Sequence, residues 1–154
     1  MMARDYFESL RLSVLEVAAM EASVADLNES SRSPKAQGSS PGSGKGRANV
    51  QPIADRAIDA ERELDKAKAR IAPQLERATD VLYGRSGRGG VARELGSAEA
   101  DAVFGYYVYG MSWPQVADEL VQPNSKDGAH WCRNRASAAL RHIDEVGMAY
   151  LAST

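Results

Sequence analysis

The sequence predicts an all-α protein in which an N-terminal antiparallel helical hairpin, coiled-coil-like in its apolar spacing, precedes a C-terminal three-helix domain. Apolar residues recur at three- and four-residue steps in several segments, as in helices that bury one face. Aromatic residues make up only 6% of the chain, which favours long helices with narrow seams over one thick core. We therefore expect a hairpin over residues 1–82, a Gly-rich hinge over 83–94 and a compact domain over 95–154.

The first helix is predicted from about Arg4 to Leu27. Charged side chains such as Glu8 and Arg11 lie off its apolar stripe. The stripe consists of Phe7, Leu10, Val14, Val17 and Val24. Residues 28–49 are too rich in Ser, Gly and Pro to bury a core, so we expect a mobile loop there.

The second helix is predicted from about Pro52 to Leu82. Pro52 suits a first helical turn, because its missing N–H needs no partner there. Pro73 should kink the helix or end its regular part. The seam has a/d-like spacing and comprises Ile53, Ala57, Ala60, Leu64, Ala67, Ile71, Ala78 and Val81. An apolar edge that the hairpin leaves uncovered could pair with a second copy of the chain, so a homodimer through these helices is one expectation.

Three helices are expected after the hinge. Ser97 is suited to cap the first helix, Gly110 to end it, and Ser112 to cap the second helix. The sequence QPNSKDG, residues 122–128, should form the turn that follows, because its Pro and Gly cannot continue a helix easily.

The last helix is predicted from about Ala129 to Glu145, and its two faces differ in chemistry. Available caps for its start are Asn124, Ser125 and Asp127. One face should be buried and consists of Cys132, Ala136, Ala139, Leu140 and Ile143. The opposite face is polar and carries Lys126, His130, Arg133, Asn134, Ser137 and Arg141.

A helix of this kind after a short turn fits a helix-turn-helix, whose recognition helix buries one side and presents the other to the major groove of DNA. Arg133 and Asn134 are suited to read bases, since arginine can donate two hydrogen bonds to guanine and asparagine pairs similarly with adenine. His130 and Ser137 complete the predicted DNA-binding face. Phosphate contacts are expected from Lys126, Arg141 and the capped helix starts at Ser112 and Ser125.

Composition argues against several other functions. The net charge of −2 disfavours indiscriminate coating of nucleic acid, although residues 126–141 set four basic side chains against one acid. Cys132 is the single cysteine, and His130 and His142 are more than three helical turns apart, so we expect no metal, no cofactor and no catalytic set. The sequence lacks a signal peptide and a long apolar run, which predicts a cytoplasmic protein with no membrane contact.

The segments YYVYG, SWPQVADEL and WCRNRASAALRHI follow one another between residues 95 and 143. They resemble the fourth region of bacterial sigma factors and, more closely, small phage and prophage proteins built on it. In that group a tyrosine-rich helix leads into a Gly-x-Ser/Thr-Trp turn, and the recognition helix ends in Ala-Leu-x-x-Ile/Leu. The upstream helix, polar loop and charged second helix also resemble the plan of those phage proteins.

The resemblance to late-gene regulators of the ArpU and RinA type implies a DNA-binding transcriptional regulator at phage late promoters. It would act on the nucleoid of a bacterial host, with RNA polymerase as a further partner. Two alternatives stay open. One is a terminase small subunit that recognises a packaging site on phage DNA, and the other is an adaptor that binds polymerase and does not touch DNA.

Overall fold

The fold is described by a computed structural model that covers residues 1–32, 52–121 and 127–154. These ranges contain helices and no strand, so the predicted all-α class is confirmed. None of their helices has the length and apolar character that a membrane span requires. The elements are α1 (Ala3–Arg32), α2 (Ile53–Tyr83), α3 (Gly90–Glu94), α4 (Ser97–Val103), a π-helical turn (Phe104–Val108), α5 (Trp113–Leu120), α6 (Gly128–Val146) and α7 (Met148–Ser153).

The two long helices extend further than predicted. α1 continues to Arg32, so residues 28–32 are helical and were wrongly assigned to the loop, whereas 33–49 lie outside the described residues. α2 passes through Pro73 without ending there. The proline removes a backbone donor, but Ile71 and Ala78 on either side of it are buried. The burial of these side chains compensates for the backbone hydrogen bond that Pro73 cannot donate.

The chain forms two compact units, of which the small unit comprises Glu16–Arg70. Its two helical segments run antiparallel, because Lys68 Nζ lies 2.9 Å from Glu21 Oε1 while Asn28 Nδ2 donates to Glu61 Oε1 at 3.0 Å. The seam between them buries four residues of the predicted stripes, namely Val17, Val24, Ala57 and Leu64.

The large unit comprises Met1–Leu15 and Ile71–Thr154. One apolar core joins the first turns of α1, the end of α2 and the C-terminal helices. The predicted domain 95–154 is therefore only a part of this compact unit, because α1 and α2 supply side chains to its centre. The largest of the core side chains are Phe7, Leu10, Leu82, Tyr107, Leu140, Ile143 and Leu151.

The segment predicted as a hinge, residues 83–94, is packed within the large unit. The N–H of Gly90 donates to Thr154 Oγ1 at 2.7 Å. Gly90 has a φ of +63°, and a Cβ at this position would lie 2.5 Å from the carbonyl oxygen of Val81. Glycine at this position therefore allows two backbone segments to approach closely. The short helix α3 begins here, within the segment that was predicted as a hinge.

The first helix of the C-terminal group ends in a π-helical turn that the sequence pattern does not predict. Its N-cap is Gly96, so Ser97 is the first helical residue and not the predicted cap. Gly110 ends the helix as expected: it has a φ of +73°, and an added Cβ would lie 3.1 Å from Leu15 Cδ2.

Two helices, α6 and α7, complete the C-terminal group. α6 lies within a residue of its predicted bounds at each end. α7 follows it directly after Gly147, was not predicted, and buries Leu151 in the core of the large unit.

Candidate nucleic-acid interface

α6 separates an apolar face from a polar face as predicted. All five residues of the expected stripe are buried, with exposed fractions of 2% or less. Cys132 packs with Val116 and Ala117 of α5, whereas the other four join the core of the large unit. These contacts fix the rotation of α6 about its axis, so the opposite face points away from the core. The stripe consists of Cys132, Ala136, Ala139, Leu140 and Ile143.

The predicted DNA-contacting residues of α6 share that opposite face. Positions 130, 133, 134, 137 and 141 fall within about one third of the helix circumference, because each residue turns the helix by about 100°. His130, Arg133, Asn134 and Arg141 are exposed, and Ser137 is half-buried. Within the described ranges, no side chain forms a hydrogen bond or ion pair with Arg133 or Asn134. Their polar groups are therefore available to an external partner.

The start of α5 is capped by reciprocal hydrogen bonds within its first turn. The N–H of Gln115 donates to Ser112 Oγ at 3.4 Å, and the N–H of Ser112 donates to Gln115 Oε1 at 2.8 Å. Because Pro114 has no N–H, the donor of this turn that stays available for a phosphate is the N–H of Trp113. The hydroxyl of Ser112 itself serves the cap.

The remaining predicted contacts, Ser125 and Lys126, lie outside the described residues. Arg135 lies off the polar face that carries Arg133 and Asn134: its guanidinium lies 3.3 Å from Glu99 Oε1 and 5.0 Å from the ring centre of Trp131. Arg135 therefore packs against other side chains of the large unit.

α1 contacts the turn between α4 and α5, a feature that the sequence analysis missed. The guanidinium of Arg11 donates to the carbonyl oxygens of Tyr106 and Met111. It also lies 3.8 Å from the ring centre of Tyr106, whose other face stacks on Trp113 with 4.0 Å between ring centres. Arg11, Tyr106 and Trp113 thus form one stack at the N-terminus of α5.

A groove separates the first half of α1 from α6, and we call it the α1–α6 groove. Its volume is about 340 Å³. α1 contributes Arg4, Glu8 and Leu12, and α6 contributes Arg133 and Ser137, two of the predicted DNA contacts. The helical periodicity of α1 predicts which of its faces is buried, but no pattern in the sequence shows that it lies beside α6.

Burial raises the pKa of two titratable side chains near α6. Burial raises the pKa of the Cys132 thiol, which keeps it protonated and weakly nucleophilic at neutral pH. Burial likewise raises the pKa of Tyr107, next to the groove. In the part of the chain that the structure describes, no three His, Cys, Asp or Glu side chains come together as metal ligands.

Comparisons with protein families, with curated proteins and with solved structures give no match to this chain.

Proposed function

We propose that this protein is a sequence-specific DNA-binding transcriptional regulator that reads duplex DNA through α5, the following turn and α6. The observation that carries the proposal is the division of α6 between a fully buried stripe and an exposed face of basic and amide side chains. A recognition helix needs this division, because one side must hold it in its domain while the other enters the major groove.

The residues of the exposed face have distinct roles in this proposal. Arg133 and Asn134 read base edges, since both are exposed on the N-terminal half of α6 and present donors in planar groups. His130, Ser137 and Arg141 contact the flanking strand. The N–H of Trp113, in the turn that Ser112 caps, and the residues Ser125 and Lys126 contact phosphates and position the motif.

The regulatory setting is proposed from the sequence resemblance in residues 95–143. The protein acts on the nucleoid of a bacterial host, at late promoters of a phage or prophage, with RNA polymerase as its second partner. The small unit, with its antiparallel helices, provides self-association as a homodimer.

The proposal is tested by selection of bound fragments from random and phage DNA, followed by affinity measurements on the selected site. Arg133→Ala should weaken binding to that site by about 1 to 3 kcal/mol, roughly 5- to 150-fold, and relax the preference at one base pair. Asn134→Ala should do the same at a neighbouring position. Each loss arises because a base edge is left without its hydrogen-bonding partner.

Arg88→Ala is the matched control, because Arg88 is an exposed arginine of the large unit that lies outside α6 and the α1–α6 groove. It should leave both the affinity and the sequence preference unchanged. The exposed face of α6 that carries Arg133 and Asn134 is the proposed reading face. A wild-type protein that enriches no sequence, or variants of these two residues that bind like Arg88→Ala, would contradict this role. Ring-sized oligomers with a preference for a packaging site would instead favour the terminase alternative.

A further inference from the structure

The α1–α6 groove places a second helix beside the proposed reading face. Arg4 and Glu8 lie one turn apart on α1, and Leu12 lies one turn further along. On the opposite wall, Arg133 and Ser137 lie one turn apart on α6. The two helices therefore line an open trough and not a closed cavity, which suits an extended ligand.

α1 is held in this position along the length of the trough. At one end, the N–H of Ala3 donates to Asp144 Oδ1 at 2.7 Å. At the other end, Arg11 donates to the carbonyl oxygen of Met111 at 2.8 Å. Between them, Phe7 and Leu10 are completely buried. Arg4 therefore projects from a fixed helix, so binding through it requires little ordering of the backbone.

The charge of the groove favours an anion. Three of its side chains are guanidinium groups, those of Arg4, Arg11 and Arg133, against the single carboxylate of Glu8. The ion pair between Arg4 and Glu8 is long, 3.8 Å, and both side chains are more than half exposed, so water screens it strongly. Arg11 donates to carbonyl oxygens, which leaves its charge without a carboxylate partner in the described residues.

One side chain of the groove is apolar and yet exposed to solvent. Leu12 has 69% of its surface exposed, beside the charged residues of the same trough. A ligand with alternating anionic and apolar parts would contact both kinds of side chain. The sugar-phosphate backbone of a nucleic acid has this alternation, because each phosphate is followed by a deoxyribose ring.

We propose that the α1–α6 groove holds the sugar-phosphate backbone of the DNA strand that borders the recognition helix, with Arg4 on a phosphate and Leu12 against the adjoining sugar. This inference rests on the proposed function, and it adds a helix that a helix-turn-helix alone does not contain. Arg4 contributes affinity for every sequence, because a phosphate contact carries no base information. The neighbouring carboxylate of Glu8 opposes this contribution.

The test compares salt titrations of binding to two 30-base-pair duplexes, one carrying the selected site and one of arbitrary sequence. Arg4→Gln should weaken binding to both by a similar factor, about 3- to 10-fold at low salt, and lower the slope of log K against log salt by about 1. Glu8→Gln should tighten binding to both duplexes. Arg88→Gln is the matched control, with the same charge change on an exposed arginine outside the groove.

The outcomes separate this inference from the proposed function. If wild-type protein binds the selected duplex but Arg4→Gln has the slope and affinity of Arg88→Gln, the groove is not a backbone site and the inference is wrong. If wild-type protein binds neither duplex, the proposed function itself fails. Circular dichroism of Arg4→Gln should match wild type, since Arg4 is exposed; a loss of affinity without a change of salt slope would also count against a phosphate contact.

Discussion

The half-buried side chain of Tyr83 makes a polar contact at the edge of the core of the large unit. Tyr83 ends α2, and its hydroxyl donates to Asp101 Oδ1 of α4 at 2.5 Å. Burial is the main cause that raises the pKa of Tyr83, and the hydrogen bond and the charge of Asp101 raise it further. The folded protein therefore holds this proton more tightly than the unfolded chain does.

Tyr83→Phe should lower the free energy of unfolding at pH 7 by about 1 kcal/mol, because the bond to Asp101 is lost. The difference should shrink above pH 10, the ordinary pKa of tyrosine. Above this pH the unfolded wild type releases the tyrosine proton, whereas the folded wild type retains it. The free energy of unfolding of the wild type therefore falls by at most about 1.4 kcal/mol per pH unit. Urea unfolding of both proteins between pH 7 and 11 measures this, and a gap that stays constant with pH would contradict it.

At the same scale, the sequence predicted part of the candidate interface. Spacing alone placed Arg133, Asn134 and their neighbours on one face of α6, because a helix turns by a fixed angle per residue. Spacing could not reveal Arg4 or Arg11 as neighbours of that face. Their positions depend on which surface α1 packs against, and the periodicity of one helix carries no information about its partner.

Among the elements, α1 and the α4–α5 turn are joined by Arg11. The last carbonyl groups of a helix have no intrahelical donors. Arg11 donates to one of these, the carbonyl oxygen of Tyr106, and to that of Met111 in the turn that follows the helix. The positive charge also suits the negative end of the helix dipole. This contact orients the turn that begins with Gly110 and leads into the capping box of α5.

Arg11→Met should lower the free energy of unfolding of the large unit by about 2 kcal/mol, because two charge-assisted hydrogen bonds and the stack on Tyr106 are lost while the apolar stem is kept. Arg11→Lys should recover only part of this, since an ammonium group cannot bridge both carbonyls and stack as a plane. Urea unfolding followed by tryptophan fluorescence measures the change.

Arg93→Met serves as the control for this comparison, because Arg93 is exposed on α3. It should stay within a few tenths of a kcal/mol of wild type, as surface substitutions usually do. Equal stability of Arg11→Met and wild type would show that the contact does not hold the turn in solution.

The helix boundaries were predicted correctly where particular residues mark them. The capped start of α5, the end at Gly110 and the bounds of α6 follow from Ser, Gly and apolar spacing. The π-helical turn and α7 were missed because no residue pattern distinguishes them. At Pro73 and in residues 83–94 the local signals were misleading: tertiary packing carries α2 through the proline, and the glycines mark a tight contact.

At the scale of the whole molecule, the core of the large unit contains side chains from both the N-terminal and the C-terminal helices. Phe7 and Leu10 are as fully buried as Val103 or Leu151. A fragment that begins near residue 95 would therefore leave the apolar surface that these side chains cover exposed to water, although it contains all of the proposed helix-turn-helix.

Phe7→Ala should destabilise the large unit by about 3 to 5 kcal/mol, through lost burial and the cavity left behind. Leu64→Ala removes a buried side chain of the small unit instead. The protein has two tryptophans, Trp113 and Trp131, and both lie in the large unit. The urea midpoint seen by their fluorescence should fall strongly for Phe7→Ala and little for Leu64→Ala. Equal shifts would contradict the division into two cores.

The bond between Ala3 and Asp144 joins positions that are 141 residues apart. Since a ribosome delivers the chain from its N-terminus, α1 emerges long before the helices that will cover Phe7 and Leu10. Until α6 and α7 have been made, this apolar surface of α1 is exposed in the nascent chain, where chaperones can bind it. The large unit, and with it the proposed DNA-binding surface, would consequently form only after α6 and α7 have left the exit tunnel.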